Sequence, residues 1–307
     1  TVLFYSCKDK TEKKVAKYYS TEIELKVDSI TIYGTLQMPD SVGEYPVVLI
    51  IAGSGPTDRD GNNKLGVSAA PYRMLADSLA AHNIATLRYD KRLIAKSVVK
   101  NAKESELRFD DYISDAQNWI KLLKADGRFS KIIVLGHSEG SLIGAIAANR
   151  ENPDAFISLA GAGRPIDVIL IEQLSKGDYD LDEVRGILDD IKAGKIVIPP
   201  DNLKTIFRVT VQPYMTSWLK YIPAEVFSKL TMPVLILQGT TDIQILPEDA
   251  ENLHKACKHS ELAIIKEMNH VLKTAPADRD KNIATYNNKN LPLHSELTPI
   301  IVNFINN

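Results

Sequence analysis

Cysteine is scarce in this chain: 307 residues hold two, Cys7 and Cys257. Two thiols allow one disulfide at most, so no disulfide framework carries the fold. With only six histidines, all scattered, they are also too dispersed for a closed zinc site. Cys257 falls in a helix-like stretch, residues 249–258, and reads as a buried free thiol. No apolar run approaches the roughly 20 residues of a membrane-spanning helix. Neither charge sign dominates: 37 Lys and Arg stand against 39 Asp and Glu, a formal net charge of −2. Basic residues form no stripe interleaved with aromatics, which argues against nucleic acid as a partner. What remains is an ordinary globular balance, 44% hydrophobic and 25% charged. The length suits one α/β core with an inserted subdomain.

The first residues follow another pattern. An apolar stretch ends at Ser6-Cys7, and the charged run Lys8-Asp9-Lys10-Thr11-Glu12-Lys13-Lys14 follows. This has the form of a secretion signal's tail with a loose lipobox. The expectation is a lipid on Cys7, a tether over residues 1–20, and an exported lipoprotein in preference to a cytoplasmic protein. Membrane attachment would then come only through that lipid.

Beyond the tether, residues 22–27 and 30–38 alternate polar and apolar around Asp28-Ser29, an opening antiparallel hairpin. Continuous apolar runs at 47–52, 84–89, 131–135, 155–160, 233–237 and 262–265 read as buried strands. Helical stretches separate them, near 72–81, 110–124, 141–148 and 248–257, and another closes the chain at 295–306. This alternation predicts a mostly parallel, doubly wound sheet. It breaks between 163 and 229, where helix-like patterns carry Phe207, Tyr214, Trp218 and Tyr221. The strand-like piece there, Ile196-Val197-Ile198, ends at Pro199-Pro200. Residues 163–229 therefore read as a helical cap inserted into a core of 21–162 and 230–307. The cap would lie over the carboxyl ends of the strands, with Tyr214 and Trp218 in the substrate pocket.

The strongest chemical signal is Gly136-His137-Ser138-Glu139-Gly140, set between the strand 131–135 and a small-residue helix. Strand, tight turn and helix with serine at the apex form a nucleophile elbow. A serine hydroxyl needs a base, and the base needs an orienting acid. In this strand order the acid and then the histidine follow the serine. Asp242 lies in the loop after 233–238, and His270 in the loop after 262–265. The rivals Glu248 and Asp249 sit at a helix start, where capping explains them, and His294 is the rival base. Two backbone N–H groups are expected to form the oxyanion hole: that of Glu139, and that of Ser54 in the glycine-bearing loop after 47–52. Asp58, Arg59 and Asp60 read as an ion-pair network holding that loop. His137 and Glu139 are assigned no proton transfer.

Taken together, these motifs resemble the α/β-hydrolase superfamily and, within it, bacterial EstD-like serine carboxylesterases. The resemblance rests on Gly53-Ser54-Gly55-Pro56-Thr57-Asp58-Arg59-Asp60-Gly61, Tyr89-Asp90-Lys91-Arg92, the Ser138 pentapeptide and Ala160-Gly161-Ala162-Gly163-Arg164. It extends to Gly239-Thr240-Thr241-Asp242-Ile243-Gln244 and Met268-Asn269-His270-Val271-Leu272-Lys273. It implies an α/β-hydrolase fold and a cofactor-free serine hydrolase with a helical cap, acting on small-molecule esters of short acyl chains. One departure concerns the Asp-x-Arg motif, which such proteins continue as Arg-Gly-x-Gly-x-Ser. Here the run is Arg92-Leu93-Ile94-Ala95-Lys96-Ser97, and the loss of both glycines predicts another loop shape. The same triad would serve a thioesterase or a serine peptidase. A non-catalytic surface lipoprotein is the reading from another class, but binding alone needs none of Ser138, Asp242 and His270.

Overall fold

The computed structural model describes residues 18–27, 30–39 and 43–307. Cys7 and most of the expected tether lie outside the described residues. Residues 18–20, also assigned to the tether, instead begin the first strand, β1 (Tyr18–Val27).

β1 pairs antiparallel with β2 (Ile30–Pro39), as the alternation predicts. Then come β3 (Tyr45–Ile51), α1 (Pro71–Ala80), β4 (Ala85–Tyr89), α2 (Phe109–Ala125), β5 (Phe129–His137), α3 (Glu139–Glu151) and β6 (Ala155–Leu159). An insertion follows with α4 (Ile166–Leu174), α5 (Leu181–Lys192), α6 (Lys204–Phe207), α7 (Gln212–Trp218) and α8 (Pro223–Phe227). The chain returns through β7 (Val234–Gly239), α9 (Pro247–Ala256), β8 (Glu261–Ile265), α10 (Arg279–Ala284) and α11 (Leu297–Asn306). The strands form one eight-stranded sheet in the order β1-β2-β4-β3-β5-β6-β7-β8. β2 pairs antiparallel with β4, and every pairing from β4 to β8 is parallel.

β3 shows how the apolar runs hold helices on both faces. Val47, Leu49 and Ile51 point into one core, which α2 and α3 cover with Trp119, Ile120 and Ile143. Val48 and Ile50 point into the other, covered by Leu75 and Leu79 of α1 and by Ile301 and Ile305 of α11. The period of two along a strand thus splits one continuous apolar run between two cores.

Within the insertion, Ile196-Val197-Ile198 belongs to no strand. Val197 meets a side chain in place of a partner strand. Its N–H donates to Gln212 Oε1 (2.8 Å), and its carbonyl accepts from Gln212 Nε2 (2.6 Å). One amide side chain satisfies both backbone groups, which makes a neighbouring strand unnecessary. Ile198 is left 84% exposed. No helix among the described residues is long and apolar enough to cross a membrane. Cys257 is buried with a free thiol, as expected.

Candidate active site

Three consecutive parallel connections place Ser138, Asp242 and His270 at the same sheet edge. Ser138 follows β5, Asp242 follows β7, and His270 follows β8. Ser138 has φ 54° and ψ −121°, a conformation that L residues rarely adopt. Its neighbours explain how the chain tolerates such a turn. A Cβ on Gly136 would lie 2.1 Å from the carbonyl oxygen of Gly140, and one on Gly140 would lie 2.3 Å from that of Ile51. Only glycine lets strand and helix approach this closely. Glu139, the first residue of α3, has an N–H with no intrahelical acceptor, at the positive end of the helix.

The loops after β7 and β8 touch at Gly239, where a Cβ would meet the Met268 carbonyl oxygen at 1.9 Å. That approach brings Asp242 Oδ2 to 2.8 Å from His270 Nδ1. Asp242 Oδ1 accepts the N–H groups of Gln244 (2.8 Å) and Ile245 (3.0 Å), and Gln238 Nε2 approaches Oδ2 (3.2 Å). Burial alone would raise the Asp242 pKa. The charge and hydrogen bond of His270 and the two backbone donors outweigh it and hold the carboxyl below its ordinary range.

Ser138 and His270 line one cavity of about 140 Å³ with Gly53, Ser54, Thr57, Gly61, Asn63, Val67, Pro71, Tyr72, His137, Gln244, Val271 and Tyr286. A larger cleft, about 540 Å³, lies on the insertion between Pro165, Asp167, Val168, Lys192, Thr216, Leu219, Lys220 and Ile222. It touches neither Ser138 nor His270, so the smaller cavity is the candidate site despite its size.

The rival side chains are engaged elsewhere. Asp249 is buried and accepts from the N–H of Gly163 (3.0 Å), the N–H of Arg164 (3.1 Å) and the Arg164 guanidinium (2.8 Å to Nη2). It anchors the start of the insertion to α9. The ring nitrogen Nδ1 of His294 accepts the N–H of Glu296 (3.3 Å). In the loop after β3, Arg59 grips Asp90 (2.7 Å) and Arg88 pairs with Asp60 (2.8 Å). Asp58 closes a turn by accepting the N–H groups of Asp60 and Asn62.

Two expectations need correction. Tyr214 and Trp218 do not line the cavity with Ser138. Trp218 lies flat on Phe109, with ring centroids 5.4 Å apart and planes 4° apart. Tyr214 turns inward and donates its hydroxyl to Glu139 Oε1 (2.6 Å). Paired aromatics of this kind pack with each other before they meet a ligand. The loop after Arg92 also keeps the backbone that glycine favours. Leu93 has φ 67° and Ala95 φ 44°, at the two positions where a glycine was expected. Ser97 holds the loop in place, its Oγ donating to the Asp90 carbonyl (2.9 Å) and accepting the Tyr33 N–H (3.0 Å).

Sequence reasoning left two side chains without a role. His137 is buried, and burial, with the nearby His270 charge, pushes its pKa down to about 3. It is therefore neutral near neutral pH, and its partners fix the tautomer. Nε2 faces the His270 carbonyl (2.9 Å), which can only accept, so Nε2 carries the proton. Nδ1 then accepts from the Tyr72 hydroxyl (2.8 Å), whose oxygen accepts the Gly53 N–H (3.1 Å). A chain of hydrogen bonds thus joins the loop after β3 to the loop bearing His270. The second is Glu139, whose carboxylate meets Lys91 Nζ at 2.8 Å inside the protein.

Structural neighbours share this architecture. Est1E from Butyrivibrio proteoclasticus, solved with ferulic acid bound, superposes with a TM-score of 0.63 at 19% identity, covering 93% of this chain and 100% of that one. A Pyrococcus furiosus esterase gives 0.60 at 15% identity, with coverages of 95% and 91%. The chain has the α/β-hydrolase fold. By sequence it is similar to esterase EstD of Thermotoga maritima, at 29% identity over 284 residues. That match takes in 88% of this chain, which spans 65% of the length of EstD. The family model described as serine aminopeptidase, S33 matches residues 64–176, a span that holds Ser138 but neither Asp242 nor His270.

Proposed function

We propose that this α/β hydrolase is a serine carboxylesterase, with Ser138 as nucleophile, His270 as general base and Asp242 as the orienting acid. The observation that carries the reading is the strained turn at Ser138 in one cavity with a histidine whose far nitrogen is bonded to a buried carboxylate. A nucleophile elbow keeps the hydroxyl exposed above the sheet. His270 takes the hydroxyl proton as Ser138 attacks the ester carbonyl, then returns it to the leaving alcohol. Asp242 holds the imidazole with Nε2 free and stabilises the imidazolium. The N–H groups of Ser54 and Glu139 receive the oxyanion, and water repeats the sequence on the acyl-enzyme. Similarity to EstD and to the esterase folds supports the ester as substrate. The small cavity, about 140 Å³, supports a short acyl group.

The match to the aminopeptidase description favours a second reading, hydrolysis of N-terminal peptide bonds by the same groups. Such an enzyme needs an acid to pair with the substrate's ammonium, and no Asp or Glu among the described residues lines the cavity. The insertion over 163–229 acts as a cap that meets the core at Glu139 through Tyr214. Assays with p-nitrophenyl acetate through octanoate and aminoacyl p-nitroanilides, on parent and Ser138→Ala, test both readings. The expected result is Ser138-dependent ester hydrolysis falling with acyl length. Preference for aminoacyl anilides would favour the second reading.

A further inference from the structure

We propose that Lys91 is a positioning residue of the oxyanion hole, holding both donors with a single ammonium. The proposal rests on the serine-hydrolase reading above. Lys91 lies just beyond β4, and its side chain is 1% exposed. A buried ammonium must spend its three donors well or be expelled. One N–H goes to the Gly53 carbonyl oxygen (2.7 Å) and one to Glu139 Oε2 (2.8 Å). The Tyr112 ring lies 4.7 Å from Nζ.

The first contact matters because of the peptide group it touches. The Gly53 carbonyl and the Ser54 N–H belong to one planar trans unit and point in opposite directions. Fixing the carbonyl on Lys91 therefore aims the Ser54 N–H away from the ammonium, and Ser54 lines the cavity with Ser138. Drawing charge from that carbonyl also makes the N–H a stronger donor. The preceding peptide unit is also anchored, its Gly53 N–H donating to the Tyr72 hydroxyl. The second contact fixes Glu139, whose N–H is the other donor. Glu139 Oε1 is occupied by the Tyr214 hydroxyl, so the carboxylate is held at both oxygens. A preorganised donor pair costs nothing to orient as charge develops, which is where oxyanion holes gain their effect.

A buried ion pair that only stabilises the fold would slow every substrate alike. An ion pair that aims hydrogen-bond donors at an oxyanion would not, because a thionoester carries sulfur in that position and accepts hydrogen bonds weakly. The experiment compares kcat and KM for matched esters and thionoesters in parent, Lys91→Met/Glu139→Gln and Glu139→Gln. The double variant removes both charges together, leaving no unpaired buried ion. The expected result is a fall in its kcat for the oxygen ester of about 10- to 100-fold, below the loss of an entire donor, with KM within about threefold. Its thionoester rate should fall far less, so the oxygen-to-sulfur preference shrinks about tenfold or more. Glu139→Gln leaves Lys91 on Gly53 but loosens its hold on Glu139, so the preference should shrink by less than in the double variant. Equal losses on both substrates in the double variant overturn the proposal. So does a preference that falls no further in the double variant than in Glu139→Gln, and if the double variant does not fold, an unmoved preference in folded Glu139→Gln overturns it. Ser138→Ala in the same assay separates the two levels: survival of activity there refutes the serine-hydrolase reading, whereas an essential Ser138 with an unmoved preference refutes only the role of Lys91.

Discussion

Acidification should unfold this protein through His137, and the size of the effect follows from its burial. The ring is held neutral, with a folded pKa of about 3 against an ordinary value of 6.5. The folded value is depressed, so between the two values the unfolded chain binds a proton that the folded one refuses. Stability is then unaffected above pH 6.5 and declines as pH falls from there towards 3. Between pH 7 and pH 5 the unfolded form gains about 2 kcal/mol from this one group, rising to about 4 kcal/mol by pH 3. Asp242, whose carboxyl is held below its ordinary value, has the opposite linkage. Its contribution is present above the ordinary carboxylate range and disappears only as pH falls through its lower folded value, outside the pH 5–7 window. Urea unfolding at pH 7 and pH 5 measures the loss in the parent. His137→Gln removes the titration and should reduce that loss by about 2 kcal/mol, even though it is less stable at pH 7 without its Tyr72 bond. Equal pH dependence in parent and variant, within about 0.5 kcal/mol, would refute a buried neutral His137.

Further outcomes follow from the same geometry. Asp242→Asn should lower kcat by up to ~10⁴-fold by offering the wrong hydrogen-bond partner to His270. Asp249→Asn should act on stability instead, since Asp249 binds Arg164, and steady-state kinetics with urea unfolding separate the two. Ala95→Gly should stabilise by about 0.5 kcal/mol or more, because exposed Ala95 has a positive φ that glycine adopts freely; urea unfolding of the variant measures it. Trp218→Ala should cost about 3 kcal/mol while leaving the acyl-length profile unchanged, whereas Val67→Ala, on the cavity wall, should extend the profile to longer chains. Kinetics on an ester series reads this second contrast.

Much of this was legible in the sequence because each feature is local. The β5 turn declares itself through two glycines around a serine, and Asp242 and His270 each follow an apolar run by a few residues. Doubly wound order then brings them together without further information. The rest depends on contacts between distant segments. Lys91 meets Gly53 and Glu139 across 38 and 48 residues of sequence, and no period or spacing reveals that pair. Trp218 and Tyr214 looked free because their partners, Phe109 and Glu139, lie on helices far along the chain. Leu93 and Ala95 misled for another reason. Sequence preference weighs against a positive φ at such residues, but the hydrogen bonds of Ser97 and the Arg59–Asp90 pair around the loop outweigh it.

The central claim is that Ser138 is the nucleophile, and covalent trapping tests it most directly. The protein is treated with a fluorophosphonate and digested, and the adduct is located by mass spectrometry. The expected result is one adduct on Ser138, abolished in Ser138→Ala, with loss of ester hydrolysis in proportion to labelling. Full hydrolysis after Ser138 is labelled, or an adduct on another serine that tracks the lost activity, would contradict it.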